Sequence, residues 1–269
     1  LGGSDGGWNN SSYNYVTWNW KANGAGVSNT DGDITSTVSA NTTSGVSIIK
    51  FTGNSSTSQS FGHGLNGTPK FYMIKNITDS GDNWQVYYND EQRYKLDTTE
   101  TGEANYLMSA NSTTITTPSQ SGGAWGNANG KDFIVYAFQE IQGFSRIGEY
   151  NANNSSDGVF LYTGFRVAWL MIKNIDNPSN ATIWDSKRTP YNVINKYLNP
   201  DTNGAEGTST SNNVDFLSNG IKLRSNNGDL NYQNRRYVFL AFAEAPLVGN
   251  NNVPCTARWG KKLWVETEI

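Results

Sequence analysis

Four acidic side chains sit where paired-carboxylate chemistry would need them. Glu140 and Glu244 end two segments of one pattern, FIVYAFQE (133–140) and YVFLAFAE (237–244), while Asp185 and Glu206 lie between those segments. A glycosidase needs little more than two such acids on either side of a sugar bond. Recurrence of one acid at the same place about 100 residues apart points instead to a structural duty, such as an ion pair with Arg146 or Arg188. No catalytic residue is assigned, and the chain reads as a non-enzyme.

The single histidine, His63, lies in FGHGLNGTP. As a catalytic base it would need a nucleophile and an orienting carboxylate, and no GxSxG elbow supplies one. It reads as a turn histidine bonding nearby backbone. NTDGDI (29–34) and NNSSDG (153–158) offer oxygen ligands for calcium, but neither has the spacing of a calcium-binding loop, and both read as turns. No metal ligands are named, and no cofactor is expected.

An indole face can stack on a sugar ring, so each tryptophan invites a glycan reading. Trp169 lies in an unbroken apolar run and reads as core; Trp184 alternates with Ile183 at a strand end and fits the core equally well. Trp125 in SGGAWGNANG and Trp8 in DGGWNNSS sit in glycine-rich loops with no strand to bury them. These two are the candidate ligand-binding residues, the alternative being that they fold back over a sheet edge. The Asn-x-Ser/Thr triplets at Asn41, Asn54, Asn76, Asn111 and Asn180 are expected by chance in so asparagine-rich a chain.

Positioning such groups falls to strands. Charged residues make up only 16% of the 269 residues and aromatics 13%, the polarity coming from Asn, Ser, Thr and Gly. Net charge is −3 with no basic stripe, which weighs against a nucleic-acid partner. One cysteine, Cys255, excludes an internal disulfide framework, and no apolar run reaches the length of a membrane span. The first residue is Leu rather than Met, which reads as a processed product or part of a longer chain.

The chain repeats itself. MIKN occurs at 73–76 and 171–174, preceded each time by an aromatic strand start around Phe51 or Tyr150. Turn signals every 8 to 12 residues give the rhythm of an antiparallel sandwich. The runs VAWLMI and YVFLAF lack alternation and should be central strands covered on both faces. YVTWNW (15–20) aligns with FIVYAF and YVFLAF and reads as the closing strand of a unit whose body is missing. It could extend the first sheet, pair with another chain, or belong to a body lost by cleavage. RTPYNVINKYL (188–198) could hold one short helical turn, with Thr189 as cap. The expected class is all-β: tandem antiparallel β-sandwich modules, jelly-roll or lectin-like, with little helix. The expected organisation is a closing strand plus polar connector (1–46), two sandwich repeats (47–142 and 143–248) and an extended C-terminal arm (249–269).

NYVTWNWKANGAGVSNTDGDITSTVSANTTSGVSIIKFTGN, GHGL, DGVFLYTGFRVAWLMIKN, DSKRTPYNVINKYLNP, AEGTSTSNNVDFLSNGIKLRS and AFAEAP, in that order, resemble an uncharacterised domain family of marine bacteriophages, repeated in virion and tail-fibre proteins. The resemblance covers about residues 13–248. It implies a virion structural protein, in a tail fibre, spike or capsid decoration, with a place on the particle surface. The implied partners are further copies of itself, other virion proteins and host-surface glycans, with no nucleic acid and no membrane insertion. Recognition of carbohydrate is the alternative function, and depolymerisation of polysaccharide a third.

Overall fold

The computed structural model describes residues 12, 14–90, 92–118, 126–244, 247–248 and 254–255. The described residues contain strands, turns and bends but no helix. In chain order the first half contributes β1 (Val27–Asn29), β2 (Ser36–Asn41), β3 (Val46–Thr52), β4 (Ser60–Gly62), β5 (Phe71–Asn76), β6 (Gln85–Tyr88), β7 (Gln92–Lys95), β8 (Ser109–Ala110), β9 (Thr114–Thr116) and β10 (Asp132–Phe138). They form a seven-stranded sheet, β1-β2-β3-β10-β5-β6-β7, and a small one, β4-β9-β8.

The second half contributes β11 (Ser145–Asn151), β12 (Phe160–Tyr162), β13 (Val167–Asn174), β14 (Ala181–Asp185), β15 (Lys196–Tyr197), β16 (Gly207–Thr208), β17 (Val214–Leu217), β18 (Gly220–Leu223) and β19 (Arg236–Ala243). Its sheets run β11-β19-β13-β14 and β12-β18-β17, with β15 and β16 paired apart. The order β3-β10-β5-β6 is thus repeated as β11-β19-β13-β14, and β4-β9-β8 as β12-β18-β17. Each half is an antiparallel β-sandwich of one large sheet on one small sheet.

Alternation along each strand sorts side chains into three apolar layers. Inside the first sandwich lie Ile49 and Phe51 of β3, Tyr72 and Ile74 of β5, and Phe133 and Val135 of β10. Inside the second lie Leu170 and Ile172 of β13, Trp184 of β14, and Tyr237 and Phe239 of β19. The opposite faces of the two large sheets meet in a third layer. Val46, Phe71, Val86 and Phe138 from the first sheet pack with Trp169, Met171, Leu240 and Phe242 from the second. VAWLMI and YVFLAF lack alternation because β13 and β19 are buried on both faces, as the sequence led us to expect. Full burial of each such side chain is worth about 1.5–3 kcal/mol.

YVTWNW is not a strand. Residues 14–20 form no strand; Trp18 and Trp20 instead enter the seam between the two large sheets. Trp20 meets Trp169 edge-on at 5.3 Å, Phe242 at 5.4 Å and Phe138 at 6.1 Å between ring centroids. Burial between two faces satisfies the indoles without strand formation. The connector behind them forms two strands, β1 and β2, which extend the first large sheet beyond β3. RTPYNVINKYL takes up bends and β15 rather than a helical turn, because Ile194 bridges Val214 and its side chain enters the second core. From the C-terminal arm only Pro254–Cys255 is described, pairing with Leu247–Val248.

The repetition extends to individual hydrogen bonds. Asn54 N–H donates to Asn127 Oδ1 at 3.0 Å, while Asn127 Nδ2 donates to Asn54 Oδ1 at 3.0 Å and to the Ser56 carbonyl at 2.6 Å. In the second sandwich Asn153 N–H donates to Asn231 Oδ1 at 2.9 Å, and Asn231 Nδ2 donates to Asn153 Oδ1 at 2.7 Å and the Ser155 carbonyl at 2.9 Å. Asn76 and Asn174, closing the two MIKN words, likewise each accept two backbone N–H groups of the following turn. Asn231 is fully buried and its side chain makes three hydrogen bonds, to Asn153 and Ser155, so its loss removes all three and leaves a void at the clasp. Asn231→Ala should lower the unfolding free energy by about 3 kcal/mol in urea denaturation. A change within about 0.5 kcal/mol would show that the clasp carries no weight.

Candidate functional site

A groove of about 460 Å³ opens on the seam side of the first large sheet. Its lining includes Ile48, Met73, Trp84, Leu96 and Tyr136, together with Trp18 and Trp20. The register explains the floor: Tyr136 pairs with Ile48 on one side and Met73 on the other, so all three point to the same face. The seven-stranded sheet is wider than its four-stranded neighbour, and these side chains stay half-buried where the cover ends. Trp84 and Tyr136 lie 5.8 Å apart between centroids, and Lys75 Nζ stands 6.0 Å from the Trp84 ring. A mostly apolar, aromatic concavity with a few polar neighbours is a binding geometry.

At its Trp18 end, Trp18 Nε1 donates to Asp185 Oδ2 at 3.3 Å, and the Arg188 guanidinium lies 5.7 Å from the Trp18 ring. Asp185 also accepts from the Lys187 and Arg188 amides and from Arg188 Nε at 2.6 Å. Burial alone would raise the Asp185 carboxyl, but the Arg188 amide and guanidinium outweigh it and hold it below the usual carboxylate range. Arg188 reaches Glu206 as well, at 3.1 Å, so these two candidate acids share one guanidinium.

The other pair is spent in the same way. Glu140 accepts from Arg146 at 2.8 Å and from the Ile147 amide at 3.0 Å, and Glu244 pairs with Arg166 at 3.2 Å. Asp33 accepts from the Ser60 amide and hydroxyl, Asp31 from Asn29 Nδ2, and Asp157 pairs with Lys222 and Arg224. The oxygen-rich loops thus direct their acids to protein donors. Trp184 is core, its Nε1 donating to the Asn212 carbonyl at 3.0 Å, and Trp169 belongs to the seam. Trp8 and Trp125 lie outside the described residues.

Lys173 and His63 are two further buried ionisable side chains. Lys173 Nζ donates to the Ser179 carbonyl at 2.6 Å and to the Thr98 carbonyl at 3.1 Å, tying a loop of the first sandwich to the second. Burial pushes its amine down, opposed by the negative charges of Asp201 and Asp229. His63 accepts the Leu65 N–H on Nδ1 at 3.1 Å, and its Nε2 lies 3.1 Å from the Asn111 carbonyl. That pattern requires the neutral ring with its proton on Nε2. In the second sandwich Thr163 Oγ1 accepts the Phe165 N–H, across Gly164 at φ 82° as His63 acts across Gly64 at φ 68°. The histidine is therefore a turn element, and a hydroxyl does the same work in the sister module.

Sequence reasoning identified the acids and the turn histidine but missed the groove. The parity of Trp18 and Trp20 was legible; that they would line one groove with Trp84 and Tyr136 depends on segments more than 60 residues apart in sequence.

Two sandwiches of one topology, closed on each other and sealed by two indoles, define a tandem β-sandwich protein. The family model of a domain of unknown function, DUF7483, matches residues 1–246, and the chain belongs to that family. No curated protein and no solved structure matches it.

Burial holds the His63 ring below its ordinary value of 6.5, against the pull of the Asn111 carbonyl. The unfolded chain then binds the extra proton more readily, so stability is complete above about pH 6.5 and falls as pH drops below it. His63→Thr, which copies Thr163, should flatten the profile just below about pH 6.5 in urea titrations. An unchanged slope would place the titrating group elsewhere.

Proposed function

We propose that the chain is a structural protein of a bacteriophage virion, a building block of a tail fibre, spike or capsid decoration, and that it does no catalysis. It works beside further copies of itself and other virion proteins, on the particle surface, where it meets the host envelope. The observation that carries this reading is the closure of two like sandwiches through the face-to-face seam, which makes a stiff body from repeated parts. The family resemblance of the sequence supports the viral setting. The acids best placed for hydrolysis are bonded to Arg146, Arg166 and Arg188, which supports a non-catalytic role.

Antibody raised against the folded chain should decorate the periphery of purified particles in immunogold electron microscopy, and the protein should appear in their mass-spectrometric inventory. Particles that lack it would contradict the reading. So would a fall in the viscosity of host polysaccharide that Glu140→Gln or Glu206→Gln abolishes.

A further inference from the structure

The two small sheets share a topology but present different outer faces. In β4-β9-β8 the outward rows are Ser60–Thr116–Ser109 and Gly62–Thr114, all small. Residues 29–34 pack against β4: Ile34 N–H donates to the Ser60 carbonyl, and Asn29 lies so close over Gly62 that a Cβ there would strike its side chain. In β12-β18-β17 the matching rows are Phe160–Lys222–Asp215 and Tyr162–Gly220–Leu217. Leu161, Ile221 and Phe216 of the same strands point into the core, so the pleat fixes Phe160 and Tyr162 outward.

Nothing among the described residues covers these rings: Phe160 is 42% exposed and Tyr162 64%. Gly220 leaves room for the Phe160 ring to lie across the strand, since a Cβ there would fall 2.7 Å from that ring. Beyond β17, the segment around Asn192 runs alongside Phe216 through two hydrogen bonds, and brings Tyr191, 81% exposed, to the sheet's edge. One module has thus placed large aromatic rings where its sister keeps Ser and Gly. Core packing does not require this, because the sister folds without them.

The charges on this face close on themselves. Lys222 and Arg224 both pair with Asp157 at 3.1 Å, and Arg224 Nε pairs with Asp215 at 2.6 Å. Two cations and two carboxylates leave no net charge to attract an ionic partner. What remains is a pair of apolar ring faces beside fixed hydrogen-bonding groups, which matches a chain of neutral sugar rings: C–H faces for stacking, hydroxyls for Lys222 and the exposed Asp157. We propose that the outer face of β12-β18-β17 binds a neutral saccharide chain, with Phe160 and Tyr162 as stacking platforms. The proposal rests on the host-contact part of the reading above, and binding in solution tests it independently of any place in a particle.

Affinity electrophoresis of the whole chain through gels containing amylose, dextran, galactomannan or anionic alginate provides the test. The expected result is saturable retardation by at least one neutral polymer, weakened about tenfold by Phe160→Ser or by Tyr162→Ala and abolished by the double variant. Both residues are exposed, so a melting curve matching the parent shows that each variant folds. Retardation by alginate alone, retention in the double variant, or no retardation in any gel would overturn the proposal. So would a sedimentation experiment in which the double variant dissociates a dimer, because the face would then be covered by a second copy. Particle labelling with no saccharide binding would sink this proposal while leaving the virion reading intact.

Discussion

Two indoles hold the key position in this molecule. Each large sheet carries one apolar face toward its own small sheet and a second apolar face that a lone sandwich would leave in water. The second faces can be buried only against each other, and Trp18 and Trp20 fill the gap where they meet, in contact with Phe138 of one sheet and Trp169 and Phe242 of the other. Asp185 fixes the Trp18 indole from the second sandwich. Lys173 adds a polar tie by donating to the Thr98 carbonyl of the first. The seam is what turns two repeats into one body.

The same constraint accounts for the differences between the repeats. The first large sheet carries β1 and β2 outside β3; among the described residues no strand pairs with the outer side of β11. Arg146 and Glu149 stand exposed on β11, and Glu140 caps its Ile147 amide, devices that blunt an open edge. The wider first sheet is left with half-covered aromatic residues that form the groove. On the far side, β4 keeps Ser60 and Gly62 against residues 29–34, whereas β12 turns Phe160 and Tyr162 outward. Shared parts keep the cores alike, and divergence collects on surfaces.

Much of this was legible in the sequence. The strand class followed from composition, and the doubling from MIKN and the closing strands, because side-chain period and repeat are local properties. YVTWNW shows where local reading fails. Its alternation was real, but alternation reports only that one side is buried; it does not tell a ladder from a wedge. The helical reading of 188–198 failed likewise, since a cap and a proline are local signals and Ile194 answers to a core built from distant strands. Glu140 and Glu244 were read as structural because repetition is visible in one dimension. The groove and the aromatic face were not, as each needs side chains from separate strands brought to one surface.

Amide hydrogen exchange in the native state tests the seam most directly. The double variant Trp18→Ala/Trp20→Ala should lose protection in β10 and in β19 together, the two central strands whose seam faces carry Phe138 and Phe242. Protection lost in β10 alone, or unchanged in both, would contradict an account in which these indoles join the two sandwiches.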